Sequence, residues 1–192
     1  ILLSSLEPDR VSAAIASCPE EILKKHPTAL LVLMRSMFNW RKIPEMQKMR
    51  ELLLAAIEER SDMPQAERGN LLGECDLIMS FLMYNDISEM SRLHRSADRL
   101  MSRPAVSIRK NGGWTFGSPS VLMMFHRSSG ELNKELAEMD ECMPHYYKLT
   151  DGHGMGAEKI MRAEAEFMRG SFTDAQIALE SAYAETLGNG QE

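Results

Sequence analysis

Aromatic residues make up only 6% of this 192-residue chain, so stacked rings cannot fill an interior of ordinary volume. The 16 methionines, with leucine and alanine, must fill it, as helical proteins tolerate well. Cysteine is also scarce. Cys18, Cys75 and Cys142 are odd in number, far apart and without C-x-x-C spacing, which argues against a disulfide framework and for reduced, buried thiols. Cys75 shares a helical apolar face with Leu71, Ile78 and Leu82, where packing alone accounts for it. No apolar run reaches the roughly 20 residues needed to span a membrane, and Ile1 to Leu6 is too short for a signal peptide and lacks its charged flank. Clustered positive charge is missing: the net charge is −6 and the pI about 5.5, which argues against a nucleic-acid surface. There is no G-x-x-x-x-G-K-[ST], and Lys110-Asn111-Gly112-Gly113 is no substitute, because its lysine precedes the glycines and no hydroxyl is placed for magnesium. Strand signals are almost absent and no G-x-S-x-G occurs, which removes a serine-hydrolase elbow. These absences point to a cytoplasmic, non-enzymatic helical protein with no cofactor.

With 44% hydrophobic and 26% charged residues, the chain is long enough for one core or a short solenoid and is not disordered. Its organising stretch is Ala157 to Leu187, which reads as a helical hairpin. Glu158 to Arg169 places Ile160, Ala163, Phe167 and Met168 on one side of a helix. Gly170 stops it, and Thr173 with Gln176 has capping-box spacing for a second helix. That second helix puts Phe172, Ala175, Leu179 and Ala182 inward, the alanines allowing close approach. Such a hairpin needs neighbours to cover its apolar face. Ile87, Met90 and Ala97 repeat the spacing of Phe172, Ala175 and Ala182, with Asp86 and Glu89 as cap and partner; Ile43, Met46 and Leu53 repeat it again, with Pro44 in the first turn. The first offset is 44 residues and the second 85, close to twice that. A degenerate copy is therefore expected near Gly130-x-Leu132-x3-Leu136, and Val11 and Ala14 read as the tail helix of a repeat begun earlier. The chain reads as a fragment of an array.

In chain order, helices are expected over Pro8 to Ser17, Glu20 to Lys25, Ala29 to Trp40 with Thr28 as cap, Pro44 to Arg60, Gln65 to Tyr84 and Ile87 to Met101. Regularity fails after Pro104. The connection from Arg103 to Ser118 exceeds the usual helix-to-helix length of roughly 2 to 8 residues; Asn111-Gly112-Gly113 marks a turn, and Trp114 and Phe116 share a side if the segment is extended. Ser118 caps a helix from Ser120 to Arg127, and another runs from Glu131 to Met143 until Pro144 ends or kinks it.

Trp114, Phe116, His126, His145, Tyr146 and Tyr147 lie within 34 residues, and His153 follows in the turn Asp151-Gly152-His153-Gly154-Met155-Gly156. Aromatic surface with polar handles suits a small-ligand pocket or a partner groove, although the same rings would also seal the connection against the helices. Tyr146 and Tyr147 cannot both face inward on one helix. The sharpest enzymatic alternative is a zinc site from Cys142, His145 and His153, with Asp140 or Asp151, but Pro144 interrupts its spacing, and we expect no metal.

Trp114-Thr-Phe-Gly-Ser-Pro-Ser-Val-Leu-Met-Met-Phe-His-Arg, then Met139-Asp-Glu-Cys-Met-Pro-His-Tyr-Tyr-Lys-Leu-Thr-Asp-Gly-His-Gly and the terminal hairpin, resemble the helical-repeat region of MalT-like LuxR-family bacterial transcriptional regulators. The resemblance implies TPR-like antiparallel hairpins stacked into a right-handed superhelix: repeats over 1–102, a loop over 103–118 and repeats over 119–192, one continuous domain of a larger protein. It implies a sensor and interaction arm that binds a small-molecule inducer or a protein partner. DNA would be reached only through a helix-turn-helix domain outside this segment; Gly130 to Ala137 looks like one, but Glu138, Asp140 and Glu141 would repel phosphate. A free-standing TPR-type scaffold is the main rival, and a small helical metal-dependent enzyme the third reading.

Overall fold

The computed structural model describes residues 7–83, 85–112 and 120–190. Its helices are α1 (Pro8–Ser17), α2 (Glu20–Lys24), α3 (Pro27–Asn39), α4 (Ile43–Glu59), α5 (Gln65–Ser80), α6 (Ile87–Leu100), α7 (Val121–Phe125), α8 (Leu132–Leu149), α9 (Ala157–Arg169) and α10 (Phe172–Gly188), with a 3-10 turn over Phe81–Met83. All regular structure among the described residues is helical, and no helix there is long and apolar enough to cross a membrane.

The repeat spacing marks helix starts: α4, α6 and α10 open on Ile43, Ile87 and Phe172. Two of these starts follow the same turn. Arg41 (φ 58°) and Gly170 (φ 83°) are left-handed, each two residues before the new helix. Behind them, the Lys42 N–H donates to Met37 C=O at 2.8 Å and the Ser171 N–H to Glu166 C=O at 2.9 Å. This six-to-one bond satisfies a carbonyl that the ending helix leaves orphaned. Glycine adopts the left-handed conformation without cost, whereas the Cβ of Arg41 costs about 1 kcal/mol there. Gly130 (φ 87°) stands in the same relation to Leu132, where α8 begins, so the degenerate copy also starts a helix. Before α6 the solution differs: the Asp86 carboxylate accepts the Glu89 N–H at 3.0 Å, the expected cap.

Other local expectations are overturned. The capping box at Thr173 and Gln176 does not form: Ser171 is the N-cap residue, with no side-chain cap bond, and the Gln176 amide donates to Glu180. Thr28 caps nothing, because α3 begins on Pro27, whose fixed φ suits a first helical turn. Ser120 caps α7 by accepting the Met123 N–H at 3.0 Å, and the cap foreseen at Ser118 lies outside the described residues, as does Tyr84. Pro144 does not end its helix; α8 continues to Leu149. Its ring sits on an exposed side, where water can take the carbonyl bond that the missing N–H leaves open. Cys75 and Cys142 are buried free thiols, as expected, but Cys18 is half-exposed.

Helices pair by backbone approach. α5 and α6 run antiparallel, with Gly69 and Gly73 against the end of α6; a Cβ at Gly69 would stand 2.6 Å from the Leu100 carbonyl oxygen. α9 and α10 close on Ala163, Ala175 and Ala182, all buried. The larger residues assigned to that interface stand outside it: Phe167, Met168, Phe172 and Leu179 are all exposed. The reason is geometric, since helices meeting on alanine leave no depth for longer side chains, which fall beside the contact. One apolar cluster runs from Val11 on α1 to Ala165 on α9, so the core crosses the long connection. That connection is pinned rather than loose: the Ala105 N–H donates to Leu149 C=O at 2.8 Å, the Ser107 N–H donates to Glu74 at 2.7 Å, and Ala105 and Ile108 are buried.

Candidate functional site

The best-built polar constellation lies where the end of α8 meets the glycine-rich turn. Thr150 closes α8, its hydroxyl and N–H both donating to Tyr146 C=O, and the left-handed Asp151 and Gly152 reverse the chain. This places His153 inside, 4% exposed, against the buried Tyr146. The Tyr146 hydroxyl lies 2.8 Å from His153 Nδ1, and Nε2 lies 3.0 Å from Gly112 C=O. A carbonyl only accepts, so Nε2 carries the proton and Nδ1 accepts from the phenol. Burial holds the Tyr146 phenol well above its ordinary pKa, so it remains a donor. The chain from Tyr146 through His153 thus reaches Gly112, beside the segment that carries Trp114.

Tyr147 points the other way. Its hydroxyl accepts the N–H groups of Gly156 and Ala157, both at 3.1 Å, and donates to the Glu158 carboxylate. A side chain from α8 thereby satisfies orphan donors at the start of α9, a position at which Gly156 (φ 95°) has no side chain of its own. Tyr147→Phe is expected to lower stability by about 1 to 2 kcal/mol through the loss of this cap; an unchanged urea midpoint would mean that water replaces the hydroxyl without loss.

A second buried chain links α5, α6 and α8. Ser80 Oγ lies 2.9 Å from His94 Nε2, and His94 Nδ1 lies 3.0 Å from Cys142 Sγ. Ser80 also donates to Leu77 C=O at 2.6 Å, which uses its only proton. It therefore accepts from Nε2–H, and the Cys142 thiol donates to Nδ1. Burial holds His94 neutral, its pKa down to about 3, and pushes the Cys142 thiol up to about 12. The sequence resembles a Ser-His-Cys relay, but its proton directions are reversed from those of an activated serine, and all three residues are buried. It specifies packing between α6 and α8. His94 escaped the sequence reading although Ile87, Met90, His94 and Ala97 form one helical stripe; a histidine within such a stripe was the available signal.

The seven residues assigned to a site are only partly brought together. Tyr146, Tyr147 and His153 are neighbours, with ring centroids at 6.3 Å (Tyr146 to Tyr147) and 6.0 Å (Tyr146 to His153). His145 lies on another side of α8, 2.9 Å from Asp98, and His126 pairs with Glu135 after α7. Trp114 and Phe116 lie outside the described residues. The alternative zinc cluster does not assemble: Cys142 faces His94, His145 faces Asp98 and His153 faces Tyr146 and Gly112. Two open grooves flank Glu158, one of about 460 Å³ along Lys159, Arg162 and Asp174 and one of about 440 Å³ along Pro144, Met155 and Glu185. Arg162 pairs with Asp140 in the first, and Lys159 of the first pairs with Glu185 of the second. No protein family, no curated protein and no solved structure matches the chain.

Proposed function

We propose that this chain is the sensor and protein-interaction arm of a MalT-like LuxR-type transcriptional regulator, its TPR-like hairpins stacking into a right-handed solenoid. The observation that carries the reading is the shared register: Ile43, Ile87 and Phe172 each open the second helix of a hairpin, and left-handed turns at Arg41 and Gly170 recur at the same place. A repeated supersecondary unit that encloses no reactive centre among the described residues suits binding rather than turnover. The Tyr146, His153 and Gly112 chain supports a sensing role, because it ties the core at α8 to the backbone next to Trp114, so that a ligand held by that aromatic segment would be felt at the junction of α8 and α9. The partners are then an inducer at the aromatic segment and a protein on the repeat surface, with DNA contacted elsewhere in the regulator.

A thermal-shift screen against sugars, amino acids, nucleotides and aromatic metabolites tests the sensor reading, since a ligand that binds only the folded state raises its apparent stability. A ligand at about 100 times its Kd should add roughly 2.7 kcal/mol, and Trp114→Ala should abolish that gain while lowering unliganded stability little. A screen blank across all four classes, or a gain indifferent to Trp114→Ala, would remove the sensor assignment.

A further inference from the structure

We infer that the exposed stripe of α10 is a docking face for an amphipathic helix of a partner protein, lying parallel to α10 and carrying basic residues beside its apolar seam. The inference deepens the interaction-arm reading and rests on it. It starts from the repeat register. A shift of 85 residues carries Ile87 onto Phe172, and with it Ser88 onto Thr173, Ser91 onto Gln176, His94 onto Leu179, Arg95 onto Glu180 and Asp98 onto Tyr183. On α6 these positions form the face that α8 covers. Ser88 donates to Glu138 at 2.6 Å, His94 meets Cys142, Arg95 pairs with Glu141 at 3.3 Å, and Asp98 holds His145 at 2.9 Å and Lys148 at 2.5 Å. Residue numbers rise together along both helices, so α6 and α8 run parallel.

On α10 no helix among the described residues covers the same face. Leu179 is 50% and Tyr183 65% exposed, and Phe172 stacks edge-on against the equally exposed Phe167, with ring centroids 5.4 Å apart. Phe172, Leu179 and Tyr183 follow i, i+7 and i+11, a seam of the kind that a second helix fills. Thr173, Gln176 and Glu180 interrupt the seam, but three large apolar side chains aligned on one helix face mark an interaction surface rather than the scattered exposure that every protein shows.

Charge fixes the partner. Where α6 carries Arg95 and α8 answers with Glu141, α10 carries Glu180, which forms no ion pair among the described residues. The helix contains Asp174, Glu180 and Glu185 and neither lysine nor arginine. A basic residue on the incoming helix would therefore meet Glu180, whereas a second α10 would bring only acid against acid. The partner is thus a helix with Leu, Ile or Met facing Leu179 and Tyr183, and Lys or Arg facing Glu180, the helix-in-groove mode of recognition.

The probe is a fluorescein-labelled peptide of the α8 sequence, Leu132 to Leu149, carrying Glu141→Lys, Cys142→Leu, Pro144→Ala and His145→Leu, titrated with the whole chain by fluorescence anisotropy. Saturable binding with a Kd in the micromolar range is expected. Leu179→Asp in the protein, at a solvent-facing position, should weaken it by about tenfold or more without moving the melting temperature, and a peptide that keeps Glu141 should bind several-fold more weakly. Absence of saturable binding, or binding that Leu179→Asp leaves intact, would overturn the inference. So would sedimentation showing a dimer that Leu179→Asp dissociates, which would make a second copy the occupant. Peptide binding with a blank ligand screen would count against the sensor reading alone, and a Trp114-dependent ligand shift without peptide binding would count against the docking face alone.

Discussion

Urea unfolding at pH 5 is expected to find the protein about 2 kcal/mol less stable than at pH 7, with His94 as the cause. The imidazole is 2% exposed, and both nitrogens are committed: Nε2–H donates to Ser80, and Nδ1 accepts from Cys142. A proton on Nδ1 would leave two donors facing each other in a dry interior. Burial is the main reason that the pKa falls to about 3; the backbone of Cys142 opposes it, and the charge of nearby His145 lowers it further. The sign follows from comparing the two states. In the unfolded chain the ring takes up a proton near its ordinary pKa of about 6.5, while the folded chain refuses it until about 3. Stability is therefore complete above pH 6.5 and falls by about 1.4 kcal/mol for each unit of pH below it, until the folded pKa is reached. Asp98, held below the ordinary carboxylate range chiefly by its hydrogen bond to Lys148, loses its contribution only near and below pH 4, so the pH 7 to 5 window isolates histidine. His94→Gln, compared with itself at the two pH values, should lose most of the difference. A loss of similar size in the variant would show that another histidine titrates on unfolding.

How much of this was legible in the sequence follows from what each residue depends on. Helix starts at Ile43, Ile87 and Phe172 depend on local spacing and turn chemistry, which a single chain displays. The all-helical class depends on periodicity and composition, also local. The direction in which Phe167, Met168, Phe172 and Leu179 point depends on how deeply α9 and α10 approach, and that is decided by Ala163, Ala175 and Ala182 together, across two helices. An amphipathic pattern shows that a stripe exists and not whether a neighbour covers it. Pro144 misled for a related reason: its cost in a helix is set by whether water reaches the orphaned carbonyl, a tertiary property. The site residues were read by residue type, which found Tyr146, Tyr147 and His153 at one junction but assigned ligand contact to a phenol that caps α9. Buried polar residues with distant partners, Glu74 with Ser107 and His94 with Cys142, carry no local signature beyond a polar residue in an apolar stripe. Gly69 and Gly73 did leave such a trace, two glycines one turn apart in a helix that otherwise has no use for them.

Replacing Glu74 with leucine should cost about 3 kcal/mol and release the connection that leads to the aromatic segment. Glu74 is fully buried on α5, directly after Gly73 of the glycine contact with α6. One carboxylate oxygen accepts the Ser107 N–H at 2.7 Å and the other faces Arg103 at 3.4 Å. Leucine removes the acceptor and leaves the Ser107 N–H enclosed without a partner, a desolvation cost of about 1 to 3 kcal/mol. The paired charge adds the rest, reduced because Arg103 is 37% exposed and can turn to water. Glu74→Gln keeps an acceptor for Ser107 and should cost about 1 kcal/mol. Amide exchange separates a general loss of stability from a local release: Ser107 should be protected in the parent and in Glu74→Gln, and exchange far faster in Glu74→Leu than the variant's global stability allows. Protection retained in Glu74→Leu would mean that the bond from Ala105 to Leu149 and the buried Ile108 hold the connection by themselves. If the release is seen, the same variant should also lose the Trp114-dependent ligand response. Gly112 C=O meets His153 at one end of this connection and Glu74 holds it at the other, so freeing it from α5 removes one of the two anchors of the chain that leads into the aromatic segment.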